Sequence, residues 1–169
     1  MRLADQARAN GAKKLHLMLS TIGGDVFWGV HVSRYLSQIG LRVSTYNLSA
    51  VQSIGVTLFC AGSERYCSPE ATFAIHPVTR NVPAQVAFSA KQFREAADAC
   101  DADGKSIATI ISIATGQTVE TVFKDMEGTR FFNAEDSLDY GLVTKVIPNV
   151  SLENVGPSSK RTEASAILG

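Results

Sequence analysis

Residues 15–25 read LHLMLSTIGGD, an apolar run followed by a glycine-containing turn and an acidic residue. A short apolar run that ends in turn-forming residues predicts a buried strand over residues 15–19. Asp25 then caps a helix, in which apolar residues recur at near-helical spacing over residues 26–39. The glycine pair at residues 23–24 lies between the two. It leaves backbone N–H groups uncovered beside a helix N-terminus, which suits an oxyanion or a phosphate. A tight turn that needs positive φ is the commoner explanation of such a pair alone.

The order of strand, turn and helix is repeated further along the chain. Residues 41–48 are rich in Val, Thr and Tyr and predict a second strand. Residues 53–55 open a very apolar helix that ends at Gly62, and residues 65–67 and 72–76 predict two more short strands. Because strands alternate with helices, the pattern favours an α/β fold with a largely parallel sheet.

The second half of the chain is mostly helical. Residues 77–85 hold two prolines and no clear period, which predicts an extended arm. Residues 86–114 predict one helix of ~43 Å, longer than a compact domain of this size needs. Further helices are predicted to begin after Thr118 and Asn133, and residues 142–147 predict a last strand.

Length and charge limit the possible partners. The chain of 169 residues is expected to form one domain over residues 1–148, followed by a polar tail over residues 149–169. Its 16 Lys and Arg balance 16 Asp and Glu, which argues against nucleic acid or an anionic membrane surface as a partner. Only 19% of residues are charged and 45% are hydrophobic, so we expect copies of the chain to cover part of its surface.

The chain carries few signals for metals, cofactors or targeting. Its three cysteines, Cys60, Cys67 and Cys100, have no C-x-x-C spacing, so they predict buried hydrophobes rather than disulfides or a zinc site. Neither a Rossmann nor a P-loop glycine motif occurs, which disfavours a nucleotide site. No run of ~18 apolar residues and no signal peptide is present. We therefore expect a cytoplasmic or organelle-lumen protein with no membrane span, no metal and no cofactor.

Two side chains near strand ends are candidates for chemistry. Ser53 lies at a strand-to-helix junction, where a hydroxyl points into the site and the next N–H joins the helix N-terminus, as at a nucleophile elbow. His76 ends the strand predicted over residues 72–76, and parallel strands gather their C-terminal ends at one edge. Ser53 and His76 are thus predicted to meet as nucleophile and general base. The alternative is a helix-capping serine and a structural histidine. His16, within a strand, and His31, within a helix, are less well placed.

Three motifs around these residues occur in the order and spacing of the Clp protease proteolytic subunit family. Residues 20–24, STIGG, resemble the family's NSPGG oxyanion loop, and residues 52–55, QSIG, resemble its ASMG nucleophile turn. Residues 74–77, AIHP, resemble its MIHQP, with one residue fewer after the histidine.

The resemblance continues beyond these motifs, from about residue 15 to residue 147. Residues 115–117, TGQ, match the TGQ that ends the family's long handle helix. Residues 130–135, RFFNAE, and residues 139–143, DYGLV, resemble the family's R-F-x-S-A-x-E and E-Y-G-L-V.

The resemblance implies a fold and an activity. The fold would be the crotonase-like spiral of β-β-α units with a protruding long handle helix, formed here by residues 77–114. The activity would be that of a serine endopeptidase acting on peptides or unfolded proteins. Ser53 would be the nucleophile and His76 the general base, and the backbone N–H groups of Gly24 and Ile54 would form the oxyanion hole.

The resemblance also implies an assembly. Subunits of the family form seven-membered rings that stack in pairs, so a homo-oligomeric heptamer or tetradecamer is expected. An ATPase unfoldase is the family's partner. Because the chain begins at what would be the family's first helix, without the segment that lines the axial pore, docking of such an ATPase stays an open expectation.

One family position differs in a way that bears on activity. Thr129 stands where the family has its catalytic Asp, just before the Arg-Phe of residues 130–131. Asp125, one helical turn earlier, is a possible substitute acid or only a surface or subunit-contact carboxylate. Two other functions therefore stay in competition with a peptidase: a catalytically inactive structural ring subunit, and a crotonase-like acyl-CoA enzyme. The second lacks a convincing pair of glutamates near residues 23–24 or Ser53.

Overall fold

The computed structural model describes residues 1–81 and 87–148. The predicted tail over residues 149–169 and part of the predicted arm lie outside the described residues. Within the described ranges the strands are β1 (Lys14–Thr21), β2 (Arg42–Gln52), β3 (Glu64–Cys67), β4 (Thr72–Ile75), β5 (Arg130–Phe132) and β6 (Lys145–Val146). The helices are α1 (Arg2–Ala9), α2 (Val26–Gln38), α3 (Gly55–Cys60), α4 (Ala90–Thr115), α5 (Val119–Glu127) and α6 (Ala134–Tyr140).

The long strand β2 organises the sheet. It pairs in parallel with β1 along one edge, and with β3 and then β4 along the other. β6 adds in parallel to β3, whereas β5 adds to β4 in the antiparallel direction. The predicted α/β class with a largely parallel sheet is confirmed. The sequence had not indicated β5, and β6 is shorter than the strand predicted over residues 142–147.

The core lies between the sheet and helices α3, α4, α5 and α6. Its fully buried side chains come from all of these layers and include Val51, Phe59, Phe73, Ile111, Val122, Phe132 and Leu142. Their burial holds β2, β4 and β5 against α4 and α5, which fixes the end of the sheet where β2 and β4 finish. Within residues 1–81 and 87–148, no helix combines the length and the apolar character needed to span a bilayer.

The long helix α4 is present, but it begins later than the sequence pattern predicted. Ser89 and Gln92 form a reciprocal capping box, which starts the helix at Ala90 rather than at residue 86. Its 26 residues correspond to ~39 Å. The buried residues of α4 are Gly104, Ile107, Ala108 and Ile111, all in its C-terminal half. The N-terminal half therefore extends away from the core, as expected of a protruding helix.

A buried arginine ties β3 to the ends of two helices. Arg65 is 8% exposed, and its Nε and Nη1 donate to the carbonyls of Leu142 and Gly62 at 2.7 and 3.0 Å. Its Nη2 donates to the carbonyls of Ala114 and Gly141 at 2.7 and 3.0 Å. A buried charge is tolerated only when it is well paired, and here four main-chain acceptors pair it. The ends of α4 and α6 are thereby fixed against the sheet.

Replacing this arginine should destabilise the fold. Arg65→Met removes every donor but keeps an apolar stem, so buried carbonyls lose their partners. We expect the free energy of unfolding to fall by about 3–5 kcal/mol in urea denaturation. Arg94→Met, at an exposed position of α4, is the matched control. Equal stability of the two variants would contradict the role assigned to Arg65.

Candidate active site

Two turns that follow parallel strands lie against each other at one end of the sheet. A Cβ added to Gly23, in the turn after β1, would lie 2.6 Å from the Ser53 Cβ and 3.0 Å from its Oγ. Reciprocally, a Cβ on Gly55, at the start of α3, would overlap the side chain of Thr21. Gly23 thus leaves room for the side chain of Ser53, and Gly55 leaves room for that of Thr21. Any larger residue at either position would overlap these side chains.

Ser53 is held in a strained backbone conformation. Its φ of +57° lies in the left-handed region, which few residues other than glycine adopt. Two main-chain hydrogen bonds maintain it: the Ser53 N–H donates to the carbonyl of Ala74 at 2.8 Å, and the Val56 N–H donates to the carbonyl of Ser53 at 3.0 Å. Such strain costs about 1–3 kcal/mol and persists where the surrounding structure enforces it, often at functional sites. The first bond also ties the turn to β4, whose end carries His76.

The structure brings four of the predicted site residues to one cavity. Ser53, His76, Gly24 and Ile54 all line a cavity of about 270 Å³. Its other walls are mainly apolar and are formed by Ile22, Val26, Ile75, Pro77, Val78, Thr79, Ile107 and Met126. Within the described part of the chain, no hydrogen bond joins the side chains of Ser53 and His76. Catalytic hydrogen bonds are often long in the absence of substrate, so this geometry is compatible with a nucleophile and base pair.

Two backbone donors at the cavity have no acceptor. Among residues 1–81 and 87–148, neither the Gly24 N–H nor the Ile54 N–H donates a hydrogen bond to the protein. The neighbouring donors are engaged: the Gly23 N–H donates to Thr21 Oγ1 at 3.1 Å, and the Ser53 N–H is used by β4. Two unpaired N–H groups beside a serine can stabilise negative charge that develops on a carbonyl oxygen.

His76 directly follows β4, and one of its ring nitrogens is engaged. The Nδ1 lies 2.8 Å from the main-chain carbonyl oxygen of Pro77. Because a carbonyl only accepts, the Nδ1 must donate, and in the neutral ring this leaves Nε2 able to accept a proton. Apart from the proline that directly follows the histidine, the sequence pattern gave no indication of this contact.

Thr129 lies close to His76 in the sheet but outside the cavity wall. Ile75 pairs with Arg130 in the antiparallel ladder, so the next position along the ladder places Thr129 opposite His76. Thr129 is exposed and has a φ of +52°, which is unusual for a β-branched residue. Within the described residues its side chain makes no hydrogen bond to His76.

Asp125, the suggested substitute acid, is engaged elsewhere. Its Oδ2 accepts from Arg130 Nη1 at 2.9 Å and from the Tyr140 hydroxyl at 2.8 Å. The Arg130 guanidinium lies over the rings of Phe132 and Tyr140, with 4.9 and 4.8 Å to their centroids. Burial and the contact with Asp125 raise the pKa of the Tyr140 hydroxyl, so it stays a donor. Asp125 therefore joins α5, β5 and α6, and it does not line the cavity.

A second cavity extends from the first. Its volume is about 620 Å³, and it shares Gly24, Val26, Val78 and Thr79 with the smaller cavity. The additional walls include the charged residues Asp25, Arg34, Arg80 and Asp103, together with His31. Arg80 and Asp103 form an ion pair at 2.7 Å, which joins the segment after His76 to α4. The two cavities together form a cleft with Ser53 at its narrow end.

The chain resembles known proteases along most of its length. The Clp protease family model matches residues 3–150. "ATP-dependent Clp protease proteolytic subunit 1" of Chlamydia felis is 31% identical over 137 residues, which are 80% of this chain and 66% of that protein. Subunit 2 of Corynebacterium efficiens is 30% identical over 140 residues, 80% of this chain and 67% of that protein. Subunit 2 of Chlamydia pneumoniae is 29% identical over 149 residues, with 87% and 71% covered. The chain thus spans about two thirds of the length of these relatives.

The contact between Gly23 and Ser53 predicts a specific structural defect. Gly23→Ala adds a methyl group that meets Ser53 and also strains a backbone with a φ of +113°. Gly11→Ala is the matched control, because Gly11 has a φ of +89° but open space around its Cβ position. We expect Gly23→Ala to lose about 1–3 kcal/mol more than Gly11→Ala in urea denaturation. A crystal structure should show Ser53 displaced. Equal losses with Ser53 unmoved would contradict the contact.

Proposed function

The chain belongs to the Clp protease family, and on that premise we propose that it is a proteolytic subunit that cleaves peptides or unfolded polypeptides as a serine endopeptidase. The observation that carries the proposal is the cavity itself. It joins a strained serine, a histidine with one ring nitrogen able to accept a proton, and two backbone N–H groups that find no acceptor among residues 1–81 and 87–148. These are the three components that acyl transfer to serine requires.

The proposed reaction begins with attack on the scissile carbonyl. The Ser53 oxygen bonds to the carbonyl carbon while His76 Nε2 takes the hydroxyl proton. The carbonyl electron pair moves to oxygen, where the Gly24 and Ile54 N–H groups stabilise it. Removal of one such donor from a serine protease costs about 2.7–4 kcal/mol of transition-state stabilisation.

The second half of the reaction regenerates the serine. The tetrahedral intermediate collapses, the amine leaves with the proton from His76, and an acyl group stays on Ser53. Water then attacks the acyl carbon, gives its proton to His76, and releases the carboxylic acid as Ser53 is reprotonated. No metal or cofactor takes part in these steps.

The cleft favours an extended chain over a small substrate. The narrow cavity at Ser53 opens into the larger one along α2 and the segment after His76, so a peptide could run from one to the other. The half-buried apolar side chains of Val26 and Val78 in the cavity lining suit an apolar side chain next to the scissile bond. Residues 1–148 form the peptidase domain in this proposal. The residues that line the two cavities all belong to this range.

The assembly is proposed from the same family membership. We expect a homo-oligomer of stacked seven-membered rings in the cytoplasm, in which the exposed half of α4 contacts another copy. The low proportion of charged residues and the exposed Phe93 on α4 support such contacts. The relatives are named ATP-dependent, so an ATPase unfoldase is proposed as partner of this subunit. The energy for unfolding would come from that partner.

A second candidate function is a structural subunit without peptidase activity. Thr129 in place of the family's acid favours it. A threonine hydroxyl accepts a hydrogen bond but does not stabilise an imidazolium by charge. Loss of the acid of a Ser-His-Asp triad lowers kcat by about 10⁴.

The reactivity of Ser53 separates these two functions. A fluorophosphonate probe should attach to Ser53, because a nucleophile with a base and an oxyanion hole reacts with phosphorus as with a carbonyl. Mass spectrometry of the labelled peptide identifies the site. Ser53→Ala should abolish labelling, and Ser49→Ala, an exposed serine on β2, should not. A folded oligomer that stays unlabelled would refute the peptidase and leave the structural subunit.

A substitution tests whether the absence of a carboxylate at residue 129 limits the activity. Thr129→Asp places a carboxylate opposite His76 and should raise kcat at least about tenfold, and at most about 10⁴-fold. Thr129→Asn is the matched control, since both side chains tolerate positive φ and only one carries charge. Peptide hydrolysis measures the effect. Equal activity of the two variants would show that charge at this position is not limiting.

A further inference from the structure

We propose that the main-chain carbonyl of Pro77 takes the place of a triad acid and holds His76 as the tautomer with its proton on Nδ1. This inference rests on the proposed peptidase function and concerns how its base is oriented. It assigns a positioning role to a backbone group, one residue from the histidine. The relevant contact is the 2.8 Å separation of His76 Nδ1 and the Pro77 oxygen.

The tautomer decides whether a histidine can act as a base toward serine. In a neutral imidazole one nitrogen donates and the other accepts, and the partner of one fixes the state of the other. The Pro77 carbonyl has no hydrogen to give, so it selects the proton on Nδ1. Nε2 is then left with its lone pair in the ring that lines the Ser53 cavity. With the opposite tautomer, as when a triad Asp is replaced by Asn, kcat falls about 10⁴-fold although the geometry is kept.

The His-Pro sequence pre-organises this contact. Proline fixes its own φ near −65° and restricts the preceding residue to extended conformations. These restrictions narrow the backbone conformations of residues 76 and 77 from which the Pro77 carbonyl can approach the His76 ring. Two contacts then hold the end of β4 in place. Ile75 pairs with Arg130 in the antiparallel ladder, and the Ser53 N–H donates a hydrogen bond to the carbonyl of Ala74.

Neither competing acceptor reaches the histidine. Asp125 accepts from Arg130 and from Tyr140, so its charge is used between α5, β5 and α6. Thr129 makes no hydrogen bond to His76 in the described part of the chain. The acceptor that lies within hydrogen-bond distance of His76 Nδ1 is the main-chain carbonyl of Pro77. A neutral carbonyl orients the ring but adds no negative charge to stabilise an imidazolium.

The direct test observes the tautomer in the intact protein. Histidine-selective ¹⁵N labelling and magic-angle-spinning NMR report which ring nitrogen is protonated, whatever the size of the assembly. Spectra are taken at about pH 8.5, above the ordinary histidine pKa of ~6.5, where histidines are neutral. The His76 signals are those lost in His76→Gln. We expect His76 with its proton on Nδ1. A proton on Nε2, the form that unconstrained histidines favour in water, would overturn the proposal.

Matched variants separate positioning from stability. Pro77→Ala frees the carbonyl, so the Nδ1-protonated fraction should fall and kcat should fall at least about tenfold, with KM little changed. Pro69→Ala, the same change in the exposed turn before β4, should alter neither. Thr129→Val keeps the β-branched shape and removes the hydroxyl, and it should leave the His76 tautomer unchanged. A tautomer switch in Thr129→Val would assign the role to Thr129 and refute the Pro77 carbonyl.

The two proposals fail in different ways. Fluorophosphonate labelling of Ser53 with His76 protonated on Nε2 would overturn the role of Pro77 and leave the peptidase intact. Failure of Ser53 to react in a folded oligomer would overturn the peptidase, and with it the catalytic meaning of the tautomer.

Discussion

The reciprocal contact between the turn after β1 and the turn after β2 is the constraint on which the site depends. Gly23 leaves room for Ser53, and Gly55 leaves room for Thr21, so the two turns pack closely against each other. The sheet register supports this contact, because Val51 of β2 pairs with Thr21 on one edge and with Phe73 on the other. Three parallel strands therefore end at one level, and the residues that follow them share one cavity. The strain at Ser53 is offset by this enclosure.

The same region shows how the chain uses its charged residues. The Asp125 carboxylate, one helical turn before Thr129, accepts hydrogen bonds from Arg130 and Tyr140. This cluster stabilises the junction of α5, β5 and α6, where the aromatic rings also cover Arg130. Asp125 therefore contributes to the structure of this junction and, within the described residues, makes no hydrogen bond to His76. The acceptor next to His76 is instead the uncharged main-chain carbonyl of Pro77.

Local features of the fold were predictable, and features made by distant contacts were not. The helix caps at Asp25, Thr118 and Asn133 each accept from an N–H three residues later, which is a short-range signal in sequence. In contrast, β5 has only three residues and exists because it pairs with β4. The late start of α4 at Ala90 reflects a capping box that apolar spacing alone does not reveal.

The candidate site likewise has features that the sequence predicts and features that it does not. The meeting of Ser53, His76 and the two backbone donors follows from strand order, which the sequence pattern indicates. The Pro77 contact and the engagement of Asp125 depend on side-chain directions that spacing does not encode. Ser53 chemistry is the central claim, and a crystal structure after reaction with a peptide boronate tests it most directly. We expect a bond from Ser53 Oγ to boron, with one boronate oxygen within about 3.1 Å of the Gly24 and Ile54 amide nitrogens. A boronate attached elsewhere, or an adduct whose oxygen avoids both amides, would contradict it.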